Sequence, residues 1–226
     1  MKEKVILLHG ALGSKKQFDS LKIGLEDYFE VHSFNFEGHG GNESDNEFSI
    51  QLFTENLNDY LDTNSIGKAT IFGYSMGGYV ALNAAIKIPE KIEKVLTLGT
   101  KFKWDMESAE IEVNRLNPSK IEEKIPHFAE KLRQEHSPQD WKQMMNKTAD
   151  MMMNMAKGAR LMDNDFKRIN QEVIVGIGSL DNMVSYEESN YVSNLLPKAK
   201  LISLEGVKHP IDKIETDQLI NYIRLN

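Results

Sequence analysis

The sequence predicts an α/β fold, with a mostly parallel sheet of about six strands, helices on both faces and a helical cap insertion. Short apolar, β-branched runs alternate with segments of helical spacing, as in folds built from strand–helix–strand units. The apolar runs are nearly continuous rather than alternating, which is typical of parallel strands covered on both faces. One long interval, residues 101–166, has helical character and no convincing strand.

Six runs are predicted as strands, at residues 5–8, 31–35, 69–73, 95–98, 173–177 and 200–204. Helical spacing of apolar residues follows the first two runs, over residues 18–29 and 50–61, and Ser49 is a suitable N-cap for the second helix. A third helix, residues 79–88, should end before Pro89. The pattern divides the chain into a core of residues 1–100 and 167–226 and a cap of residues 101–166.

Composition and charge exclude several function classes. The 226 residues carry 34 acidic and 27 basic side chains, a formal charge of −7, which disfavours binding to nucleic acid or to an anionic membrane surface. The chain has no cysteine, so disulfides, thiol catalysis and thiolate metal sites are excluded. The apolar run at 5–8 is too short for a signal peptide. We expect a cytoplasmic protein that acts on a small molecule without a cofactor.

The strongest motif is the G-x-S-x-G segment Gly73-Tyr74-Ser75-Met76-Gly77. It lies between a predicted strand and a predicted helix, where a tight turn exposes the serine hydroxyl above the sheet. The glycines on either side of the serine leave room for the strand and the helix to approach each other. This context indicates that Ser75 is a nucleophile.

A serine hydroxyl is a weak nucleophile and needs a base, which in turn needs an orienting acid. His209 follows the last predicted strand, and Asp181 follows the strand before it. All three side chains would project from the carboxyl ends of parallel strands, where such sheets build their sites. The chain order Ser75, Asp181, His209 is the order this architecture uses. Asp212 is the nearest competitor for the acid.

Acyl transfer also needs two hydrogen-bond donors for the developing oxyanion. The backbone N–H of Met76 is one candidate, and that of Ala11, in the loop after the first strand, is the other. His9 and His39 lie in glycine-rich loops after the first two strands and are interpreted as loop-fixing residues. His32, His127 and His136 stand singly along the sequence, so no metal site is expected.

Together these segments resemble the α/β-hydrolase fold. The resemblance rests on His9-Gly10, Gly38-His39-Gly40, the Ser75 motif, Asp181 and His209. It implies a nucleophile, acid and base at Ser75, Asp181 and His209, an oxyanion hole at Ala11 and Met76, and a cap at 101–166. The two extra antiparallel strands with which many members begin are missing here. Serine in place of an aspartate nucleophile argues against the haloalkane dehalogenase and epoxide hydrolase branches.

Within the serine branch the leading hypothesis is a hydrolase of a carboxylic ester or thioester. Alternatives are a carbon–carbon hydrolase and a lyase similar to that of the menaquinone pathway. That lyase has an arginine directly after the Ser-x-Gly-Gly turn, where this chain has Tyr79, so the usual anion clamp is missing from one expected place. A ligand-binding protein without turnover is a further alternative, because fold does not prove activity.

Seven methionines cluster between residues 144 and 162. They either pack the cap's own helices or form an adaptable apolar wall over the site, and the second interpretation predicts a small, apolar substrate. The candidate substrate-binding residues are Leu12, Tyr74, Trp104, Trp141, Met145, Met152 and Met183. The sequence leaves the oligomeric state and the identity of the substrate open.

Overall fold

The computed structural model describes residues 2–226, and its centre is a six-stranded, fully parallel sheet. The strands are β1 (Glu3–Leu8), β2 (Phe29–Ser33), β3 (Ala69–Tyr74), β4 (Ile92–Leu98), β5 (Glu172–Gly178) and β6 (Ala199–Leu204). Their order across the sheet is β2-β1-β3-β4-β5-β6. The predicted fold class and the predicted strand number are therefore confirmed.

Ten α-helices surround the sheet in the described part of the chain. They are α1 (Asp19–Leu25), α2 (Ile50–Thr63), α3 (Met76–Lys87), α4 (Met106–Arg115), α5 (Pro118–Lys124), α6 (Pro126–His136), α7 (Trp141–Ala156), α8 (Asp163–Phe166), α9 (Tyr186–Leu195) and α10 (Thr216–Leu225). Helices α4–α8 all lie between β4 and β5, in the interval where the sequence shows no strand. None of the helices within residues 2–226 is both long and apolar enough to cross a membrane.

Each face of the sheet has its own hydrophobic core, because alternate residues of a strand point to opposite faces. In β1, Ile6 and Leu8 belong to the core on the face covered by α2, α3 and α9, whereas Val5 and Leu7 belong to the core on the face covered by α1 and α10. The central strands are almost fully buried, but the edge strands β2 and β6 are partly exposed. Two-sided burial, expected for all six strands, holds for the four inner ones.

Local signals explain most helix ends. The Ser49 side chain accepts a hydrogen bond from the Leu52 N–H at 3.0 Å and caps α2, as predicted. Helix α3 ends at Lys87, just ahead of Pro89. One expectation was wrong. Phe29 was grouped with the first helix, but α1 ends at Leu25, and Phe29 pairs with Glu3 as the first residue of β2.

Candidate active site

Ser75 occupies the sharp turn between β3 and α3. Its φ of 52° lies in the left-handed region, which costs a residue with a side chain of order 1–3 kcal/mol. The neighbouring strand holds this conformation, since the Ser75 N–H donates to the Leu98 carbonyl at 2.8 Å. The Thr100 hydroxyl donates to the Ser75 carbonyl at 2.9 Å. The turn therefore projects a partly exposed serine side chain from the carboxyl edge of the sheet.

The glycines that flank Ser75 are required by close backbone contacts. A Cβ on Gly77 would clash with the carbonyl oxygen of Leu8, and a Cβ on Gly73 would clash with the backbone of Gly77. The elbow thus fits against β1 only because both positions lack side chains. This is the physical reason for the spacing of the motif.

His209 and Asp181 form a hydrogen-bonded pair at the same edge of the sheet. The His209 Nδ1 lies 2.8 Å from the Asp181 Oδ2, and both side chains are nearly buried. Since the Nδ1–H donates a hydrogen bond to the carboxylate, the other ring nitrogen, Nε2, is free to accept a proton. This is the tautomer that a general base requires.

The environment of Asp181 keeps its carboxyl group ionised. Burial opposes ionisation, but hydrogen bonds from His209 and from the N–H groups of Met183 and Val184 outweigh burial and lower the pKa of Asp181. Both backbone donors contact Oδ1, at 2.8 and 2.9 Å. The loop after β5 therefore fixes one carboxylate oxygen and presents the other to His209.

Ala11 and Met76, the two residues predicted to form an oxyanion hole, both lie next to Ser75. Met76 is the first residue of α3, so its N–H has no acceptor within the helix. The loop that carries Ala11 packs directly on the nucleophile, because a Cβ on Gly10 would lie 3.2 Å from the Ser75 Cβ. Ala11, Ser75 and Met76 line one cavity. Their arrangement is compatible with two backbone donors aimed at one oxygen.

This cavity, of about 50 Å³, brings together most of the predicted site. Seven predicted residues line it, namely Ala11, Ser75, Met76, Trp104, Met152, Met183 and His209. Asp181 lies behind His209, where its bond to Nδ1 places it. Residues chosen from their order along the strand ends therefore lie close together around the serine.

Four predicted substrate-binding residues are not among those that line this cavity. Trp141 and Met145 are buried in a small core within the insertion, together with Ile121, Ala129 and Leu132. Their helix, α7, turns that face toward α5 and α6, which periodicity could not determine. For these two residues the packing interpretation of the insertion's apolar side chains therefore holds.

Tyr74 and Leu12 also act from outside the cavity. The Tyr74 hydroxyl donates to the His209 carbonyl at 2.8 Å and braces the loop after β6. Leu12 packs against the insertion, and its φ of 58° marks a tight turn in the Ala11 loop. Both face a separate surface pocket. Neither residue lines the cavity beside Ser75, where the substrate contacts were predicted.

Sequence reasoning missed half of the cavity wall, namely Ile50, Tyr79, Lys101, Glu112, Met151, Met155 and Val184. Met151 and Met155 belong to the methionine cluster, for which a wall over the site is one of the two interpretations, but neither is named there as a candidate. Tyr79 accepts a hydrogen bond from the Leu161 N–H at 2.8 Å, which ties the end of the insertion to the elbow helix. Burial raises the pKa of Tyr79, so its hydroxyl stays protonated. Lys101 and Glu112 had no sequence signal.

Three histidines that are distant in sequence lie side by side near the site, with their rings tilted or edge-on to one another. The ring centroids of His9 and His39 lie 5.2 Å apart, and those of His39 and His136 lie 5.7 Å apart. Burial lowers the pKa of His9 from 6.5 to about 4 and also lowers the pKa values of His39 and His136. His9 accepts from the Phe36 N–H and contacts the Gly10 carbonyl, as a loop-fixing residue would.

His136, interpreted from sequence as isolated, connects the insertion to the core. Its Nε2 lies 3.1 Å from the Leu12 carbonyl, and its Nδ1 accepts from the Gly40 N–H at 3.0 Å. No cluster of metal-ligating side chains occurs within residues 2–226. The histidines therefore serve packing and loop geometry in this structure.

Solved structures of similar shape cover almost the whole chain. A thermophilic esterase from Thermogutta terrifontis superposes with a TM-score of 0.79 at 18% identity, covering 100% of this chain and 89% of its own. A 2-hydroxy-6-oxo-6-phenylhexa-2,4-dienoate hydrolase from Rhodococcus superposes with a TM-score of 0.77 at 20% identity, covering 99% and 90%. At these identities the likeness concerns the fold.

Sequence comparison points to the same family. Ethanol acetyltransferase 1 of Kluyveromyces marxianus is 33% identical over 91 residues, which are 39% of this chain and 25% of that protein. The chain thus spans only about a quarter of this relative's length. A family model described as the alpha/beta hydrolase fold matches residues 4–149, well over half of the sequence. The chain belongs to the alpha/beta hydrolase fold family.

Proposed function

We propose that this chain is a serine hydrolase that cleaves a carboxylic ester or thioester of a small substrate through an acyl-enzyme on Ser75. One observation carries the proposal. A strained, partly exposed serine lines the same cavity as a histidine whose Nδ1 is 2.8 Å from a buried carboxylate. Strain at a nucleophile is retained only where the surrounding structure enforces it, and here it presents the hydroxyl to the cavity.

In the acylation step His209 Nε2 removes the Ser75 hydroxyl proton while Oγ attacks the substrate carbonyl carbon. The negative charge that develops on the carbonyl oxygen is stabilised by the backbone N–H groups of Ala11 and Met76. Asp181 stabilises the imidazolium that forms, without itself taking the proton. His209 then protonates the leaving alcohol or thiol as the tetrahedral intermediate collapses to the acyl-enzyme.

Deacylation repeats these roles with water as the nucleophile. His209 removes a proton from water, the oxygen attacks the acyl carbon, and Ser75 leaves with the proton that His209 returns. The insertion, residues 101–166, acts as a cap that covers the acyl group. Met151, Met152 and Met155 of α7 supply flexible apolar side chains to the cavity wall, which suits a short acyl chain.

Transfer of the acyl group to an alcohol is a second candidate. Water and an alcohol attack the same acyl-enzyme, and the products differ only in whether an acid or a new ester is released. The similarity to an ethanol acetyltransferase over 91 residues favours this candidate. Gas chromatography of reactions that contain thioester and ethanol distinguishes the two, because only acyl transfer produces the ethyl ester.

The test of the proposed function is labelling with a fluorophosphonate, with the modified residue mapped by peptide mass spectrometry. We expect modification at Ser75 that is lost in Ser75→Ala and strongly slowed in His209→Ala. His127→Ala is the matched control and should label at the wild-type rate. Equal labelling of wild-type protein and His209→Ala would contradict the mechanism.

The remaining alternatives predict different results. A binding protein without turnover would bind ligand in the Ser75→Ala variant while the wild type hydrolyses no ester. A carbon–carbon hydrolase or a lyase would need the same Ser75 and His209 but would leave simple esters uncleaved. A chain-length panel of esters and thioesters therefore follows the labelling experiment, and turnover in that panel selects the proposed function.

A further inference from the structure

The cavity next to Ser75 has an unexpected charged section in a wall that is otherwise mostly apolar. Two of the described residues that line it carry a full charge, Lys101 and Glu112. Lys101 lies in the loop after β4, and Glu112 lies on α4 of the insertion. Their side chains are only 17% and 6% exposed. Both charges are therefore held beside the reacting centre, largely away from solvent.

Glu112 makes its hydrogen bonds to Arg115, whereas Lys101 is bonded mainly to a backbone carbonyl. Both carboxylate oxygens of Glu112 accept from Arg115, at 3.1 and 2.9 Å. The ammonium of Lys101 lies farther away, 3.5 Å from the nearer Glu112 oxygen, and donates to the Met183 carbonyl at 3.3 Å. Glu112 is thus shared between two cations, Arg115 at the shorter distance from a half-exposed position and Lys101 at the longer distance. The three side chains together carry one net positive charge, and Lys101 is the cation that lines the cavity.

A purely structural role explains this arrangement poorly. Removing a charged pair from water costs free energy that an apolar pair of similar volume would not cost. Methionines already fill the adjacent wall. An ammonium has three donors, and the described residues give Lys101 one hydrogen-bond acceptor and one longer ionic contact. An anionic group that enters the cavity would therefore find, in its wall, an ammonium whose donors are only partly used.

We propose that Lys101 binds a carboxylate of the substrate, so that the preferred substrates are short esters or thioesters that carry a second, ionised carboxyl group. This inference rests on the proposed function and specifies its substrate class. The methionines contact the carbon chain, Ser75 attacks the carbonyl, and the Lys101 Nζ donates to the terminal carboxylate. Glu112 restrains Lys101 and lowers its attraction for the anion, which sets the strength of binding.

The experiment compares matched charged and neutral esters. Ethyl hydrogen glutarate is paired with ethyl pentanoate, which places the carboxylate on the acyl side. Butanoyl glycolate is paired with ethyl butanoate, which places it on the alcohol side. The readout is the ratio of kcat/KM for the charged ester to that for the neutral ester. We expect a ratio well above one in at least one pair for the wild-type protein.

The variants test the origin of that ratio. Lys101→Met should lower it by about 10- to 100-fold, the range that corresponds to a hydrogen bond to a charged group, and Lys101→Arg should restore most of it. Glu112→Gln should raise the ratio, because the cation loses its competing carboxylate. The matched control is Lys103→Met, since the Lys103 side chain is 60% exposed and should not affect the ratio.

Failure of this inference is distinguishable from failure of the proposed function. Fluorophosphonate labelling of Ser75 with an unchanged ratio in Lys101→Met would overturn the carboxylate site alone. If no ester is cleaved, calorimetry on the Ser75→Ala variant decides. Binding of ethyl hydrogen glutarate at least tenfold tighter than to the Ser75→Ala, Lys101→Met double variant supports the site, and equal binding refutes it.

Discussion

Replacing Asp181 by asparagine tests the proposed catalytic geometry with little change in shape. The introduced amide retains an oxygen for the N–H groups of Met183 and Val184, which in the native protein donate to Oδ1 at 2.8 and 2.9 Å. The atom that replaces Oδ2 becomes an amide NH₂ that faces the His209 Nδ1. Two donors cannot share that contact, so the imidazole moves its proton from Nδ1 to Nε2.

The expected loss follows from the tautomer. With a proton on Nε2, His209 cannot accept the Ser75 proton, and the carboxylate that stabilised the imidazolium is gone. A change of this kind lowers kcat by roughly 10⁴, equivalent to about 5.5 kcal/mol of transition-state stabilisation. Loss of a hydrogen bond alone would lower it only about tenfold. The size of the effect therefore separates a tautomer-fixing role from a merely structural one.

The assay is single-turnover acylation by a chromogenic ester, followed from pH 5 to pH 9. Asp212→Asn is the matched control, because Asp212 lies near His209 in sequence with its side chain 62% exposed. We expect wild-type acylation in the control. Acylation by Asp181→Asn within tenfold of wild type, in protein that melts normally, would refute the assignment of Asp181 as the orienting acid.

The remaining predictions concern the elbow, the buried histidines and the cavity wall. Gly77→Ala should lower the free energy of unfolding by more than about 2 kcal/mol in a denaturant titration, because the added methyl group clashes with the Leu8 carbonyl. Gly67→Ala is the control: a methyl group at Gly67 meets no neighbouring atom, so the free energy of unfolding should change by less than about 0.5 kcal/mol. Because burial lowers the pKa of His9 from 6.5 to about 4, the unfolded state binds a proton at a higher pH than the folded state. The neutral His9 therefore contributes roughly 3 kcal/mol to the free energy of unfolding above pH 6.5, and this contribution is lost as the pH falls toward 4. In denaturant titrations at a series of pH values, His9→Asn should make the free energy of unfolding fall less steeply with decreasing pH. Trp104 lines both the 50 Å³ cavity and an outer pocket of about 640 Å³, so Trp104→Ala should shift the best substrate toward longer acyl chains in a chain-length panel, and an unchanged optimum would contradict its role as a partition.

The sheet was predictable from the sequence because its strands are specified locally. Continuous apolar runs can be satisfied only by burial on both faces, and each chemical residue follows such a run directly. Once parallel strands are inferred, Ser75, Asp181 and His209 must lie at one edge of the sheet. Edge strand β6 was predicted to within one residue, but edge strand β2 was placed two residues late, at 31–35. The residues of β2 are partly exposed, and the first helix ends where a turn, not an apolar pattern, requires it.

The insertion was not predictable in the same way. Its helices are amphipathic, but a helical period does not say which face meets the core and which meets a neighbouring helix. Trp141 and Met145 therefore pack inside the insertion instead of lining the cavity, whereas Met152 lines the cavity as expected. Lys101 and Glu112 gave no signal, because a lysine after a strand and a glutamate on a charged helix usually face solvent. Only tertiary contacts distinguish this pair.

The contacts of the insertion indicate that it does more than cover the cavity. Leu12 holds a left-handed conformation, with φ of 58°, one residue beyond the proposed oxyanion donor Ala11. Such a turn needs support from its surroundings, and His136 of α6 supplies it through the Leu12 carbonyl. The Ser14 hydroxyl adds a second link, 2.6 Å from a carboxylate oxygen of Glu135 on the same helix. Both links originate on α6, and α6 packs on α7, which supplies three methionines to the cavity wall. Displacement of α6 would therefore move the donor loop and disturb that wall. Binding of substrate under the insertion and alignment of the oxyanion hole are therefore expected to be coupled.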